Sequence, residues 1–350
     1  SRPVQSVEAL DEKIKKVLTD VKSQGDKALL KYTERFDGVV LDEIWVSGEE
    51  VVASHAQITD ELREAIDMAR SNIEKFHYAQ QTKVEVIETS PGVRCWQKSV
   101  PIKKVGLYIP GGTAPLFSTV LMLAIPAAIA GCEEIVLCTP PDKKGNIHPA
   151  ILYTASLVGV TRICKVGGAQ AIAAMAYGTD SVPAVYKIFG PGNQYVTAAK
   201  QMVSREGIAI DLPAGPSEVL VVADDKSNIN FVASDLLSQA EHGMDSQVVL
   251  VANNENTVDE TIAEVYSQLD KLPRKEIAKE ALKNSKAIVL HSVRDMIDLI
   301  NEYAPEHLII SSSNYQEITV NIENAGSVFL GPYTPESAGD YASGTNHNLP

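Results

Sequence analysis

Carboxylate, imidazole, hydroxyl and amide side chains are concentrated between the glycines of residues 334–349, where Glu336, Asp340 and His347 are titratable. The segment follows neither the period of a helix nor that of a strand, so it can bury little apolar surface. A ligand or a metal ion would give it a shape, because Asp combined with imidazole suits Zn²⁺. The alternative is a solvated loop rich in turn-forming Asp and Asn.

A second group of donors lies in residues 238–243, Ser-Gln-Ala-Glu-His-Gly. Gln239 and His242 are three residues apart near the end of a predicted helix, so they share a face. Gly243 is typical of a helix C-cap. An imidazole beside an oxygen donor can bind a divalent metal, although a histidine that only caps the helix explains the same spacing.

Two adjacent titratable residues, Glu306 and His307, directly precede the apolar run Leu308–Ile310. Pro305 predicts an extended entry to this strand. A carboxylate and an imidazole on a rigid edge can divide the duties of acid and base. The alternative is a surface Glu beside a His that is satisfied by the backbone.

Three predicted strands end in small residues followed by the start of a helix, at residues 108–113, 167–170 and 190–194. Backbone N–H groups at a helix N-terminus can hold an anion. None of the three turns has the GxGxxG or the P-loop pattern, and each alone is compatible with an ordinary tight turn. Three in one module favour a ligand of nucleotide size.

The elements that must position these residues alternate from Val105 onward between short apolar strands and helices, which predicts two α/β modules with parallel-sheet cores. In such sheets ligands bind at the carboxyl ends of the strands. Residues 6–35 and 59–80 predict a helical N-terminal region, with Thr59 as an N-cap. The turn-rich stretch 211–217 is the predicted crossing between the modules.

Composition narrows the class of protein. The 350 residues carry a net charge of −14, which argues against nucleic acid and anionic membranes as partners. No apolar run approaches the roughly 20 residues of a membrane-spanning helix. The polar N-terminus predicts no signal peptide, so we expect a cytoplasmic protein, or a plastid one if a transit peptide was removed. Four cysteines, without the spacing of a metal motif, are expected to be reduced: Cys95, Cys132, Cys138 and Cys164.

Seven stretches together resemble the histidinol dehydrogenase family, in family order and over most of the chain. They are residues 106–112, 166–174, 187–193, 211–219, 237–243, 304–310 and 335–347. The resemblance implies an α/β fold of two Rossmann-like modules. It also implies a homodimer with intertwined subunits that oxidises L-histidinol to L-histidine, the last steps of histidine biosynthesis, through histidinaldehyde and with two NAD⁺ and zinc.

The resemblance also assigns roles to individual residues. Gln239, His242 and Asp340 resemble the zinc ligands, and Glu306 and His307 resemble the acid–base pair. Contacts with the substrate are implied for Ser217, Gln239, His242, His307 and Asp340. Contacts with NAD are implied for Tyr108, Gln170 and Asn193, which lie at the strand ends already singled out.

The implied chemistry accounts for the residue types. Zinc orients the amine and imidazole of histidinol, His307 takes the alcohol proton, and Glu306 activates water for the second oxidation. This interpretation divides the chain into an N-terminal helical arm (1–35), a metal and catalytic α/β domain (36–104 with 213–350) and an NAD-binding α/β domain (105–212).

One departure concerns the end of the sequence. The family continues into a C-terminal segment that supplies a further zinc-binding His and a substrate-binding Glu, and this segment is absent after Pro350. The resemblance therefore implies a truncated chain that binds zinc weakly and is weakly active or inactive. A two-lobed binding protein for small molecules and a zinc-dependent hydrolase are the other interpretations, and only a dehydrogenase predicts NADH formation from histidinol.

Overall fold

A computed structural model gives the fold of residues 8–111, 115–213, 217–339 and 341–345. These described residues form two compact units. The first contains the described residues up to 213 together with 343–345, and the second contains 217–342 without residue 340. The division between the units falls in the turn-rich stretch 211–217.

The first unit begins with α1 (Glu8–Gln24), α2 (Asp26–Asp37), α3 (Gly48–His55) and α4 (Asp60–Ala79). A hairpin of β1 (Val86–Ser90) and β2 (Val93–Trp96) follows. The remaining elements alternate: β3 (Lys104–Tyr108), α5 (Phe117–Ala130), β4 (Glu134–Thr139), α6 (Pro149–Leu157), β5 (Arg162–Lys165), α7 (Gly168–Tyr177), β6 (Lys187–Phe189), α8 (Gln194–Arg205) and β7 (Ala209–Ile210).

The five strands β3–β7 form one parallel sheet in the order β5-β4-β3-β6-β7. The strand order reverses between β3 and β6. A crevice opens at the carboxyl ends of strands at such a switch point, so the turns after β3 and β6 are placed where a ligand can enter.

The second unit repeats this plan with β8 (Glu218–Ala223), α9 (Ile229–Ala240), β9 (Gln247–Ala252), α10 (Glu255–Leu269), α11 (Lys275–Lys283), β10 (Lys286–Val289), α12 (Val293–Tyr303), β11 (His307–Ile310), α13 (Tyr315–Thr319), β12 (Ser327–Leu330) and α14 (Glu336–Gly339). Its parallel sheet has the order β10-β9-β8-β11-β12. The switch point therefore lies between β8 and β11.

Both faces of each sheet are covered, as a parallel sheet requires. In β8, Val219, Val221 and Ala223 pack into one apolar cluster with α9 and α10. Leu220 and Val222 point to the opposite face and pack with α12 and α13. All six residues of β8 are buried, so the strand is a fixed frame for the residues at its ends. Among the described residues, no helix combines the length and apolarity needed to cross a bilayer.

The predicted α/β class with two parallel sheets is confirmed. Thr59 caps α4, since its hydroxyl accepts a hydrogen bond from the Leu62 N–H at 3.3 Å. The helical stretch predicted over 6–35 is divided, because Gly25 takes a left-handed φ of 56° between α1 and α2. The hairpin was not predicted. All residues of both strands are exposed, so they lack the alternation by which a strand is recognised.

The predicted grouping of residues 36–104 with 213–350 is a functional division and stays a prediction. By packing, the described residues of 36–104 lie in the first unit. Helix α3 packs on α6 and α4 packs on α5, and α4 buries apolar residues there, including Ile66 and Ile73. Sequence periodicity locates such an apolar face without identifying the surface that it covers.

Candidate functional site

Tyr108, the last residue of β3, connects two turns at the carboxyl edge of the first sheet, the turn after β3 and the turn after β5. Its side chain is buried, and its hydroxyl oxygen accepts a hydrogen bond from the Gly168 N–H at 3.0 Å, at the start of α7. Burial raises the pKa of Tyr108 to about 12. The hydroxyl therefore stays protonated near neutral pH and keeps its own hydrogen to donate.

Close backbone approaches bring these predicted turns against one another. Gly190 has a φ of 129°, and a Cβ on it would collide with the Tyr108 carbonyl. A Cβ on Gly111 or on Gly167 would collide with the ring of Pro140. The glycines thus let the turns after β3 and β5 pack closely on Pro140 and the turn after β6 pack closely on Tyr108, which leaves their backbone groups without side chains that would cover them.

A buried ion pair fixes the turn after β6. Lys200 pairs with Asp211 and also donates to the Gly190 carbonyl at 2.9 Å. The Gly190 N–H donates to Asp211 Oδ2 at 2.7 Å. Desolvation lowers the pKa of Lys200, and the charge of Asp211 opposes that change. Both backbone groups of Gly190 are therefore held by charged partners.

Two predicted cofactor contacts have polar atoms suited to that role. Gln170 is 1% exposed, and its Oε1 has no hydrogen-bond partner among the described residues. Asn193 is exposed and caps α8, with its Oδ1 accepting from the N–H groups of Tyr195 and Val196. A cofactor contact by Asn193 would therefore use its amide nitrogen. A cradle of glycines with an unsatisfied buried acceptor fits a dinucleotide, which offers amide and hydroxyl donors.

Asp37, at the end of α2, is a neighbour of Tyr108 that sequence reasoning missed. Its negative charge contributes to the raised pKa of Tyr108. Its Oδ2 is buried and has no hydrogen-bond partner among the described residues. Desolvation raises the pKa of Asp37 from 3.8 to about 6. No pattern of spacing marks this residue, because its environment comes from elements distant in sequence.

In the second unit the candidate residues meet at the amino edge of the sheet. Glu306 directly precedes β11, and its Oε2 accepts from the N–H of Glu218, the first residue of β8, at 3.3 Å. His307 begins β11 and is 3% exposed, with its Nδ1 3.3 Å from the Glu218 carbonyl. Ser217 lies one residue before Glu218, and its carbonyl accepts from the Gln247 N–H at 3.2 Å. The structure therefore brings Ser217, Glu306 and His307 together.

The contact with the Glu218 carbonyl selects a tautomer of His307. A carbonyl can only accept, so Nδ1 must carry the hydrogen, and in the neutral ring Nε2 then carries the lone pair. Two carboxylates face the same Nδ1, with oxygens of Glu306 and Glu336 each 3.9 Å away. They would stabilise the imidazolium that forms when His307 takes up a proton. His307 is thus arranged as a base.

Gln239 and His242 lie at the end of α9, which returns the chain to the amino edge before β9. Gln239 is 1% exposed, and its Oε1 has no hydrogen-bond partner among the described residues. The helix ends at Ala240 with Glu241 as its C-cap, so the prediction of Gly243 as the C-cap is wrong. His242 is exposed in the turn that follows, where its N–H donates to the Gln239 carbonyl at 3.2 Å.

The donor set is compatible with a metal ion. A buried amide oxygen without a partner and a nearby imidazole are donors that Zn²⁺ accepts. In the part of the chain that the structure describes, no three His, Cys, Asp or Glu side chains cluster as a metal site. The predicted metal ligands instead include the side-chain amide of Gln239. Its carboxylate, Asp340, lies outside the described residues, as does His347.

Comparison with solved structures defines the class of fold. Apo indole-3-acetaldehyde dehydrogenase is similar with a TM-score of 0.53 at 15% identity, over 92% of this chain and 78% of that one. An NAD-dependent aldehyde dehydrogenase from Sinorhizobium meliloti has a TM-score of 0.52 at 13% identity, over 91% and 79%. At these identities the likeness shows that the two-sheet α/β fold is shared with dehydrogenases of known structure.

Closer relatives define the family. The profile of the histidinol dehydrogenase family matches residues 1–350. Histidinol dehydrogenase of Bacteroides thetaiotaomicron is 60% identical over the whole chain and 82% of its own length, and that of Escherichia coli K12 is 52% identical over 99% and 80%. The crystal structure from Elizabethkingia anophelis has a TM-score of 0.97 at 57% identity, over 100% of this chain and 81% of that one. The chain belongs to the histidinol dehydrogenase family and is an oxidoreductase.

The environment of Asp37 predicts a pH-dependent stability. Because the folded-state pKa of about 6 exceeds the ordinary value of 3.8, the folded protein holds more protons than the unfolded chain between these values. The contribution to stability is present below pH 3.8 and is lost as pH rises through 6. We expect Asp37→Asn to raise the Tm at pH 8 and to leave it unchanged at pH 3.5. The matched control is Asp42→Asn at an exposed site, and equal Tm shifts for both variants at pH 8 would contradict the argument.

Proposed function

We propose that this protein oxidises L-histidinol to L-histidine through histidinaldehyde, using two NAD⁺ and a bound zinc ion. The observation that carries the proposal is the contact of Glu306 and His307 with the backbone of one residue of β8, Glu218, with His307 held as a base. Membership of the histidinol dehydrogenase family supports the choice of substrate.

The chemistry divides between the two residues. The Nε2 of His307 takes the hydroxyl proton of histidinol. The carboxylate of Glu306 takes a proton from the water that hydrates histidinaldehyde, and His307 assists the second oxidation. Tyr108, Gln170 and Asn193 would hold NAD⁺, which would accept the hydride of each step. Support for this comes from the glycine turns and from the buried Gln170 oxygen, which has no hydrogen-bond partner within the described part of the chain.

A kinetic test measures the rates of the two oxidations separately by following the formation of NADH. We expect His307→Asn to lower kcat for histidinol by about 10²- to 10⁴-fold, the usual contribution of a general base. Glu306→Gln should slow the oxidation of histidinaldehyde more than that of histidinol. The control is His291→Asn, which removes an exposed imidazole of the same unit. Equal losses in both steps for Glu306→Gln would refute the division of roles.

For zinc, the proposed ligands are Gln239, His242 and Asp340, and Ser217 and His307 would contact the substrate beside them. Zinc would orient the amine and imidazole of histidinol. The proposal draws support from the buried Gln239 oxygen, which lacks a partner among the described residues. A metal ion offers that oxygen a partner and offsets the cost of its burial.

Metal analysis tests this ligand set without reference to activity. After dialysis against equimolar Zn²⁺ and Mn²⁺, we expect the protein, which lacks one of the family's zinc-binding His residues, to bind zinc weakly but in preference to manganese, and Gln239→Ala to lose most of the zinc that it retains. Asn256→Ala, which removes an exposed amide of the same unit, should retain zinc like the unaltered protein. Equal zinc contents in the two variants would remove Gln239 from the ligand set.

We further propose that the protein is a homodimer and that its hairpin takes part in the contact. All residues of β1 and β2 are exposed, with Ile87 and Trp96 about 60% exposed. An isolated two-stranded hairpin is marginally stable in water, and clustered exposed apolar side chains are typical of interaction surfaces.

Light scattering checks the mass in solution. A dimer should give about twice the 37.8 kDa of one chain, and Ile87→Lys combined with Trp96→Glu should increase the monomer fraction. Val52→Lys alters another exposed apolar residue of the same unit and should not. A monomeric unaltered protein, or equal dimer fractions in both variants, would count against the proposal.

A further inference from the structure

We propose that Glu218, Gln247 and Tyr303 form a positioning device for the acid–base pair, an inference that rests on the proposed roles of Glu306 and His307. No role is assigned to these three side chains in the chemistry above. They form a half-buried to buried polar cluster directly behind Glu306 and His307, at the amino ends of β8, β9 and β11.

The backbone of Glu218 contacts both members of the acid–base pair. Its N–H donates to Glu306 Oε2 at 3.3 Å, and its carbonyl accepts from His307 Nδ1 at 3.3 Å. One residue therefore holds the carboxylate through its nitrogen and the imidazole through its oxygen. A shift of this residue would move both reacting groups, whereas a change in Glu306 or His307 alters one of them.

The side chain of the same residue is held by Tyr303. Glu218 is 7% exposed, and its Oε2 lies 3.0 Å from the Tyr303 hydroxyl. That hydroxyl also lies 2.9 Å from Oε1 of Gln247, which is paired with Glu218 in the β8–β9 register. The Gln247 Nε2 donates to the Asn284 carbonyl at 2.8 Å, which fixes the orientation of the amide. The side chain of Glu218 thus holds the start of β8 in place.

The connection from α12 to β11 links Tyr303 to Glu306. Tyr303 is the last residue of α12 and stands three positions before Glu306. Between them Ala304 takes a left-handed φ of 51°, a conformation that residues other than glycine rarely adopt. Such a turn persists only where its surroundings hold it. The Tyr303 hydroxyl stabilises this turn, because it hydrogen-bonds the end of α12 to Glu218. The backbone of the same Glu218 contacts Glu306 and His307.

Burying a polar group destabilises the fold unless the group is hydrogen-bonded, so apolar residues at the start of β8 would be easier to bury. This region instead contains a carboxylate, an amide and a phenol. Its geometric effect is to fix Glu218, and small displacements of reacting groups can cost a large factor in rate. Glu218, Gln247 and Tyr303 are therefore positioning residues, since they act through the backbone of Glu218.

The test compares Tyr303→Phe and Glu218→Ala, which break the anchor, with Glu218→Gln, which keeps an acceptor for the Tyr303 hydroxyl. We expect the first two to lower kcat for both oxidations in parallel by about tenfold or more, with little change in KM. The pH at which kcat becomes half-maximal should shift with them, because the setting of His307 changes. Glu218→Gln should retain most of the activity. Tyr266→Phe, at an exposed tyrosine of the same unit, is the control.

Thermal unfolding of each variant separates this effect from loss of folding. The inference is overturned if Tyr303→Phe matches Tyr266→Phe in kcat, if it changes only KM, or if its losses disappear once rates are corrected for the folded fraction. It is also overturned if Glu218→Gln is as impaired as Glu218→Ala. In each of these cases the proposed function still stands if the unaltered protein is active and His307→Asn is not. An unaltered protein that stays inactive even when the family's C-terminal segment is present would instead refute both.

Discussion

The parallel pairing of β8 with β11 at the centre of the second sheet is the constraint on which the candidate site depends. His307 is opposite Val219 in this register, so the residue before Val219 lies against the entry to β11. Glu218 can then contact Glu306 through its N–H and His307 through its carbonyl. A shift of the register by one residue would separate these groups and turn buried side chains to the wrong face.

The two units use the same strand order and opposite edges of their sheets. The glycine turns of the first unit lie at the carboxyl edge, where helices begin and their N–H groups favour anions such as phosphates. The catalytic candidates of the second unit lie at the amino edge, where helices such as α9 end. Helix C-termini carry partial negative charge and favour cations. This polarity is compatible with a dinucleotide in the first unit and with a metal ion and an amine in the second.

Local patterns in the sequence were sufficient for much of the fold. Strands such as β8 are apolar after their first residue, and glycines such as Gly190 mark the turns that follow the strands, so the α/β class and these glycine turns could be predicted. Glu306 and His307 stood out because they are adjacent and precede a strand. The anchor formed by Glu218 and Tyr303 could not be predicted, because 85 residues separate its members. The hairpin likewise gave no signal, since none of its side chains is buried.

The central claim is that the reacting site lies at the amino ends of β8 and β11. Zinc-edge anomalous diffraction from crystals of the protein soaked with zinc and histidinol tests it most directly. The account predicts a peak at about 2 Å from ligand atoms of Gln239 and His242, with the histidinol hydroxyl directed at His307. A zinc peak at the carboxyl ends of these strands, or histidinol bound away from His307, would contradict it.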